Sequence, residues 1–229
     1  MKLVKKPWNR RKQALFRIAF LIPLVVLLLL TRQYGFTRDH ALREVEERLG
    51  CGPTEVIREL GELPIGDRGW EMFLAANDNA LILSGRAFHL GSGWQYYGSP
   101  VVDCSLGEPV AAGTCQMDAL ERDAYREGDY KQTMVWFYGR VDDPDIQEVE
   151  VSLTKYLHGE PDIVEETWEK VIPRGEWLRA GGRYYFVTSW QTEGPYREAE
   201  NIRVTLRTRN SAGEWAERDF LGKTYTRFH

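Results

Sequence analysis

The sequence predicts an all-β, sandwich-like extracytoplasmic domain preceded by a short helical segment and one N-terminal transmembrane helix. Three observations carry this. After Pro64 the chain breaks into short runs rich in branched and aromatic residues, separated by turn residues. Before it, one stretch repeats apolar residues at three- and four-residue spacing, the period of a helix face. At the start, Ile18-Ala-Phe-Leu-Ile-Pro-Leu-Val-Val-Leu-Leu-Leu-Leu30 forms an apolar run with no equal elsewhere in the 229 residues.

That run alone would rise only about 20 Å as a helix, short of a hydrocarbon core of about 30 Å. Beginning the helix at Ala14 adds Leu15 and Phe16, and Arg17 can reach the headgroups along its own stem, so residues 14–30 just suffice. Trp8 on one side and Tyr34 and Phe36 on the other suit the two interfaces, and Pro23 predicts a mild kink. Lys2, Lys5, Lys6, Arg10, Arg11 and Lys12 precede the run with no acid among them. The positive-inside bias therefore keeps the N-terminus in the cytoplasm and places the rest outside the plasma membrane. A cleaved signal peptide starts the same way, but Thr31-Arg-Gln-Tyr-Gly-Phe-Thr-Arg38 offers no small-x-small cleavage site, which favours an uncleaved anchor. Leu49-Gly50-Cys51 resembles part of a lipobox but lies far from the apolar run. The organisation expected is a tail at 1–13, anchor and interface at 14–36, a juxtamembrane helical segment at 37–62 and a β-domain at 63–229.

Of the 30 Lys and Arg residues, eight fall within the first 36 positions, where there is no acid; the remaining 22 face 34 acidic residues, an excess of twelve. Such a balance argues against nucleic acid, anionic polymers and lipid surfaces as broad electrostatic partners, and its simplest reading is a solvated acidic surface.

Within 37–60, Thr37 is placed to cap a helix, and Leu42, Val45 and Leu49 share one face opposite Arg38, Asp39, Arg43, Glu44, Glu46, Glu47 and Arg48. Gly50-Cys51-Gly52-Pro53 interrupts it, and Pro53 suits the first turn of a second short helix carrying Val56, Ile57 and Leu60. This stripe is expected to pack on its own domain, with a dimer stalk as the alternative. Beyond it, Ala76-Asn-Asp-Asn79 reads as a hairpin turn between Trp70-Glu-Met-Phe-Leu-Ala75 and Ala80-Leu-Ile-Leu-Ser84. Further strands are expected at 86–90, 94–102, 133–141, 148–154, 163–172, 183–190, 201–209 and 214–220. Glu148-Val-Glu-Val-Ser-Leu-Thr154 alternates and should wet one face, whereas Met134-Val-Trp-Phe-Tyr138 and Tyr184-Tyr-Phe-Val187 are apolar throughout and suit central strands. Together these predict a two-sheet sandwich fronted by a helix.

A single anchor, a short helix and a β-domain containing Tyr138-Gly-Arg-Val-Asp-Asp-Pro-Asp-Ile-Gln-Glu-Val-Glu-Val151 resemble the single-pass membrane-anchored extracytoplasmic proteins of Gram-positive bacteria. The resemblance implies location and fold and transfers no functional site.

Three cysteines stand at 51, 104 and 115. On an oxidising exterior, Cys104 and Cys115 flank the turn-rich Ser105-Leu-Gly-Glu-Pro-Val-Ala-Ala-Gly-Thr114 as though a disulfide stapled a loop or irregular hairpin, worth about 3 kcal/mol in the chain-entropy model. Cys51 is then left to link a homodimer, to pair with another cysteine or to stay a free thiol. His40, His89, His158 and His229 show no ligand spacing, so no metal site is expected. Gly91-Ser92-Gly93 lacks the frame of a nucleophile elbow, and Gly91 to Gly98 lacks the spacing of a phosphate loop, so no cofactor is expected. Asp142-Asp143-Pro144-Asp145 could offer oxygens to Ca²⁺, but between strands it reads first as turn chemistry. Trp94, Tyr96 and Tyr97 are the candidate ligand-binding residues, able to stack on a glycan or clasp a peptide of an envelope partner. Against this, alternation puts Trp94 and Tyr96 on one face, where a core role competes. The role expected is a binding or accessory module, with an envelope hydrolase using paired carboxylates as the alternative from another class.

Overall fold

A computed structural model of the chain describes residues 10–30, 38–65, 68–89, 93–98, 101–120, 130–157, 160–195 and 201–218. Helices α1 (Arg10–Leu30) and α2 (Arg38–Leu49) precede strands β1 (Glu55–Ile65), β2 (Arg68–Ala76), β3 (Ala80–His89), β4 (Gly93–Gly98), β5 (Val102–Asp103), β6 (Val110–Leu120) and β7 (Tyr130–Val141). Then come β8 (Ile146–Leu157), β9 (Glu160–Pro173), a 3₁₀ turn at Arg174–Glu176, β10 (Leu178–Ala180), β11 (Arg183–Pro195), β12 (Asn201–Asn210) and β13 (Trp215–Arg218). The all-β class expected from the sequence holds, with every pairing antiparallel.

The strands form three sheets where the sequence suggested two. The first has the order β1-β2-β3-β4 with β5 also on β3, the second β10-β11-β7-β6, and the third β13-β12-β8-β9. The second sheet lies in the middle because both of its faces are apolar. Trp136 and Tyr138 of β7, Cys115 of β6 and Tyr185 of β11 pack with Met72, Leu74, Leu81 and Leu83 of the first sheet. Their neighbours Val135, Phe137, Ala112 and Phe186 pack with Val149, Val151, Leu153 and Leu206 of the third. This is why Met134–Tyr138 and Tyr184–Val187 read as apolar without alternation: a strand covered on both faces has no wet side.

The third sheet is the opposite case. Val149, Val151 and Leu153 point inward and are fully buried, whereas Glu148 and Glu150 turn outward to Arg209 and Arg207 at 3.2 and 3.0 Å. The alternation read from the sequence is the structure found, and these exposed pairs add little stability. At the β2–β3 turn, Asn77 Oδ1 accepts the backbone N–H groups of Asn79 and Ala80, which is the expected turn chemistry. On the outer face of the first sheet, α2 packs Leu42 against Phe73, Ala75 and Ile82. The buried Glu46 accepts from the backbone N–H and the hydroxyl of Thr54, tying the helix to the chain entering β1. The helical stripe thus packs on its own domain, as expected; its proposed cap, Thr37, lies outside the described residues.

Two segments depart from expectation for physical reasons. The second helix predicted after Pro53 is instead β1, whose pairing with β2 slips by one residue between Val56 and Arg58 and again between Glu59 and Gly61. Each slip is a β-bulge that leaves Ile57 and Leu60 unpaired, and both pack toward the first core. Bulges three residues apart reproduce the three-residue spacing of a helix face, so the periodicity was real and its cause was different. The second segment is β6, read from Gly and Ala as loop. A Cβ on Gly113 would stand 2.6 Å from Val102 Cγ2 of the first sheet, and one on Gly139 of β7, which pairs with Ala112, would stand 2.4 Å from Cε1 of Phe186, its partner in β11. Gly113 marks the close approach of two sheets, and Gly139 makes room for the ring beside it in its own sheet.

Candidate functional site

The largest apolar surface lies on α1. Ten large apolar side chains between Leu15 and Leu27 are 45 to 72% exposed, Phe20 the most, and none of them belongs to a core of the domain. They occupy nearly every direction around the axis, so the helix has no polar face to show to water over this stretch. At about 1.5 kcal/mol or more for each large side chain, well over about 10 kcal/mol of burial is left unrealised. Among the described residues no helix is long and apolar enough to cross a membrane. The described side chains of the run, residues 14–27, rise about 21 Å, and the helical backbone continues to Leu30.

At one end of the sandwich lies a polar network that sequence reasoning missed. Arg140 is 2% exposed, and its position in β7 aims it into the core between the first and second sheets. Its Nε and Nη2 donate to Asp142 Oδ2 at 2.8 and 2.6 Å, its Nη1 to the carbonyl of Asp78 at 2.7 Å, and its Nη2 also to the carbonyl of Cys104 at 2.6 Å. Arg183 of β11 donates to Asp142 Oδ1 and Asp78 Oδ1 at 3.3 and 3.1 Å. One guanidinium thereby joins the β2–β3 hairpin turn to the chain after β5 and to the β7–β8 turn, two connections that pass between sheets. Removing it would strand buried carbonyls, so the network is a clamp. The available signal was a lone arginine interrupting an apolar strand, with an aspartate two residues on.

The disulfide expected between Cys104 and Cys115 is not formed: both are free and buried, as Cys51 is free and partly buried. Register explains this. Val102 stands over Gly113, and the Cys104 carbonyl meets Arg140, whose strand partner is Ala111. Cys104 is therefore level with Ala111, four residues or about 13 Å along β6 from Cys115, whereas a disulfide needs Cα atoms within about 7 Å. Burial pushes the Cys115 thiol up to about 12, and burial, partly offset by Arg140, pushes Cys104 up to about 11. Neither is a nucleophile at neutral pH.

Of the aromatic candidates, β4 is placed, with Trp94, Tyr96 and Tyr97 opposite Phe88, Arg86 and Gly85 of β3. Their side chains lie outside the described residues. The Asp142–Asp145 segment is a turn: Asp143 Oδ1 accepts the N–H of Asp145, and Asp142 is engaged by two arginines. Among the described residues no group of His, Cys, Asp and Glu is arranged to hold a metal ion. Glu46 is the one fully buried carboxylate among them, and Thr54 and Arg43 occupy it.

Fold and geometry together define the class: an all-β domain of three stacked antiparallel sheets with an uncovered apolar helix at its N-terminal side. No protein-family model matches the chain, and no curated protein or solved structure is similar to it.

Proposed function

We propose that the chain is a single-pass protein of the plasma membrane, N-terminus inside, whose three-sheet domain works outside as a binding or accessory module of the cell envelope. The observation that carries this reading is the exposed apolar surface of α1, which no core of the described residues includes and a bilayer would cover. The basic residues before the helix supply the orientation. Three more leucines beyond residue 27 extend the apolar length toward that of a span. The likeness of layout to the anchored extracytoplasmic proteins of Gram-positive bacteria supports the same location. A rigid stack of sheets clamped by Arg140 suits a binding scaffold, in which edges and loops meet the partner. An envelope protein or glycan meeting β4 at Trp94, Tyr96 and Tyr97 remains the partner proposed from the sequence, and Cys51, with its thiol partly exposed, is the residue through which a homodimer would form. A reporter active only outside the cytoplasm, fused after His229, should be active in cells, and the fusion should stay in the membrane pellet. Activity only for a reporter that works inside would overturn the topology.

A further inference from the structure

Tyr184 of β11 is paired in register with Arg179 of β10, and the Arg179 guanidinium carbon lies 5.9 Å from the centre of its ring. The 3₁₀ turn brings Arg174 to the same ring at 4.7 Å, and Trp177 lies edge-on to it at 6.1 Å. Two guanidinium groups thus converge on one aromatic residue with no described carboxylate in salt-bridge contact with either. Many other arginines of the domain, Arg43, Arg86, Arg140, Arg183, Arg207 and Arg209 among them, each hold an acid. In a domain with twelve more acids than bases, two neighbouring cations left without one leave room for an anion from elsewhere.

We propose that Arg174, Arg179 and the Tyr184 hydroxyl form a binding site for a phosphate group. The donor chemistry fits. Arg174 Nη1 is fixed by the carbonyls of Pro144 and Ile146, which orients its fork beside the Tyr184 ring. Arg179 is solvent-exposed, and a phosphate offers several acceptor oxygens to two such groups at once. A hydrogen bond with Arg174, then the charges of Arg179 and Arg174, lower the Tyr184 hydroxyl below the usual phenol value, the direction that two neighbouring cations impose. The acidic excess of the whole domain opposes a broad anionic surface, but beyond about 8 Å physiological salt screens it, so a local pair of arginines acts on its own.

The phosphate could belong to a lipid headgroup or to a soluble or polymeric phosphate; the site stands independently of α1, and only the lipid source rests on the membrane reading. Full-length protein in neutral detergent is titrated with inorganic phosphate against chloride at constant ionic strength, following tryptophan fluorescence, with Trp177 as the local probe. A saturable phosphate-specific change is expected, weakened about tenfold in Arg179→Gln, the loss of one charge-assisted contact. The melting temperature of Arg179→Gln in chloride should match wild type, and Arg174→Gln should weaken phosphate binding similarly if it folds. Identical phosphate and chloride curves, or wild-type phosphate binding by Arg179→Gln, would overturn the site. Trypsin cleavage after Arg179 in nanodiscs then assigns the source. Protection in phosphatidylglycerol but not phosphatidylcholine points to a headgroup; equal cleavage in both, with phosphate binding intact, points to a soluble or polymeric phosphate.

Discussion

Strand β7 and helix α1 are both apolar over several consecutive residues, yet the domain covers one and leaves the other bare. In β7, Val135 and Phe137 are closed in by the third sheet while Trp136 and Tyr138 are closed in by the first. In α1, none of the large apolar side chains from Leu15 to Leu27 belongs to a core of the described residues. Apolar composition states only that water must be excluded. What excludes it depends on shape: a flat strand can be covered by two sheets, whereas a helix apolar all round needs surroundings that enclose it, protein or lipid.

The sharpest way to break this contrast is to truncate on both sides of it. Phe137 is fully buried and stacks on Trp168 at 5.4 Å, so Phe137→Ala should cost about 3–5 kcal/mol and lower the melting temperature of the domain strongly. Leu21→Ala in α1 should leave the domain's melting unchanged. A domain indifferent to Phe137→Ala would mean that the middle sheet is not packed on both faces.

The clamp comes next. Arg140→Met keeps the volume but leaves the carbonyls of Asp78 and Cys104 without their donor, for a loss of about 2–3 kcal/mol in denaturant unfolding. Wild-type stability would show that the three connections hold together without it.

A smaller effect is read by the thiols. Burial and Glu46 also raise the Cys51 thiol, but it is partly exposed, so at neutral pH it should react slowly with a small alkylating reagent while Cys104 and Cys115 react only on unfolding, and no disulfide should be found by non-reducing peptide mapping. Because burial raises these two thiols in the folded state above their unfolded value, the fold binds their protons more tightly. Their contribution therefore holds below about 9 and stability falls as the pH rises toward about 11 and 12. A Cys104–Cys115 bridge in protein isolated from membranes would contradict the register.

The smallest effect concerns a buried donor left unpaired among the described residues. Trp136 Nε1 is buried with no hydrogen-bond partner, so Trp136→Phe removes an unsatisfied donor along with some packing and should change stability by no more than about 1 kcal/mol. A large loss would reveal a partner for that N–H.

What could be read from the sequence follows the same division. β8 was legible because one face is wet, so Glu148, Glu150 and Ser152 mark the alternation. The β2–β3 turn was legible because Asn77 bonds locally. Illegible were features set by distant partners: the bulges that gave β1 a helical spacing, the crowding that requires Gly113 and Gly139, and the third sheet itself. Arg140 was hidden in part for that reason: Asp142 stands two residues on, but the carbonyls of Asp78 and Cys104 are distant and no local pattern announces them.

The membrane reading of α1 is tested most directly by placing charge in the middle of its bare surface. Leu21→Arg combined with Leu24→Arg should add about 2.5–3.5 kcal/mol per arginine to the cost of insertion and move the protein from the carbonate-washed membrane pellet to the soluble fraction. The domain's melting temperature should stay as in wild type. Wild-type protein already in the soluble fraction, or a double variant that stays in the pellet as firmly as wild type, would contradict the anchor.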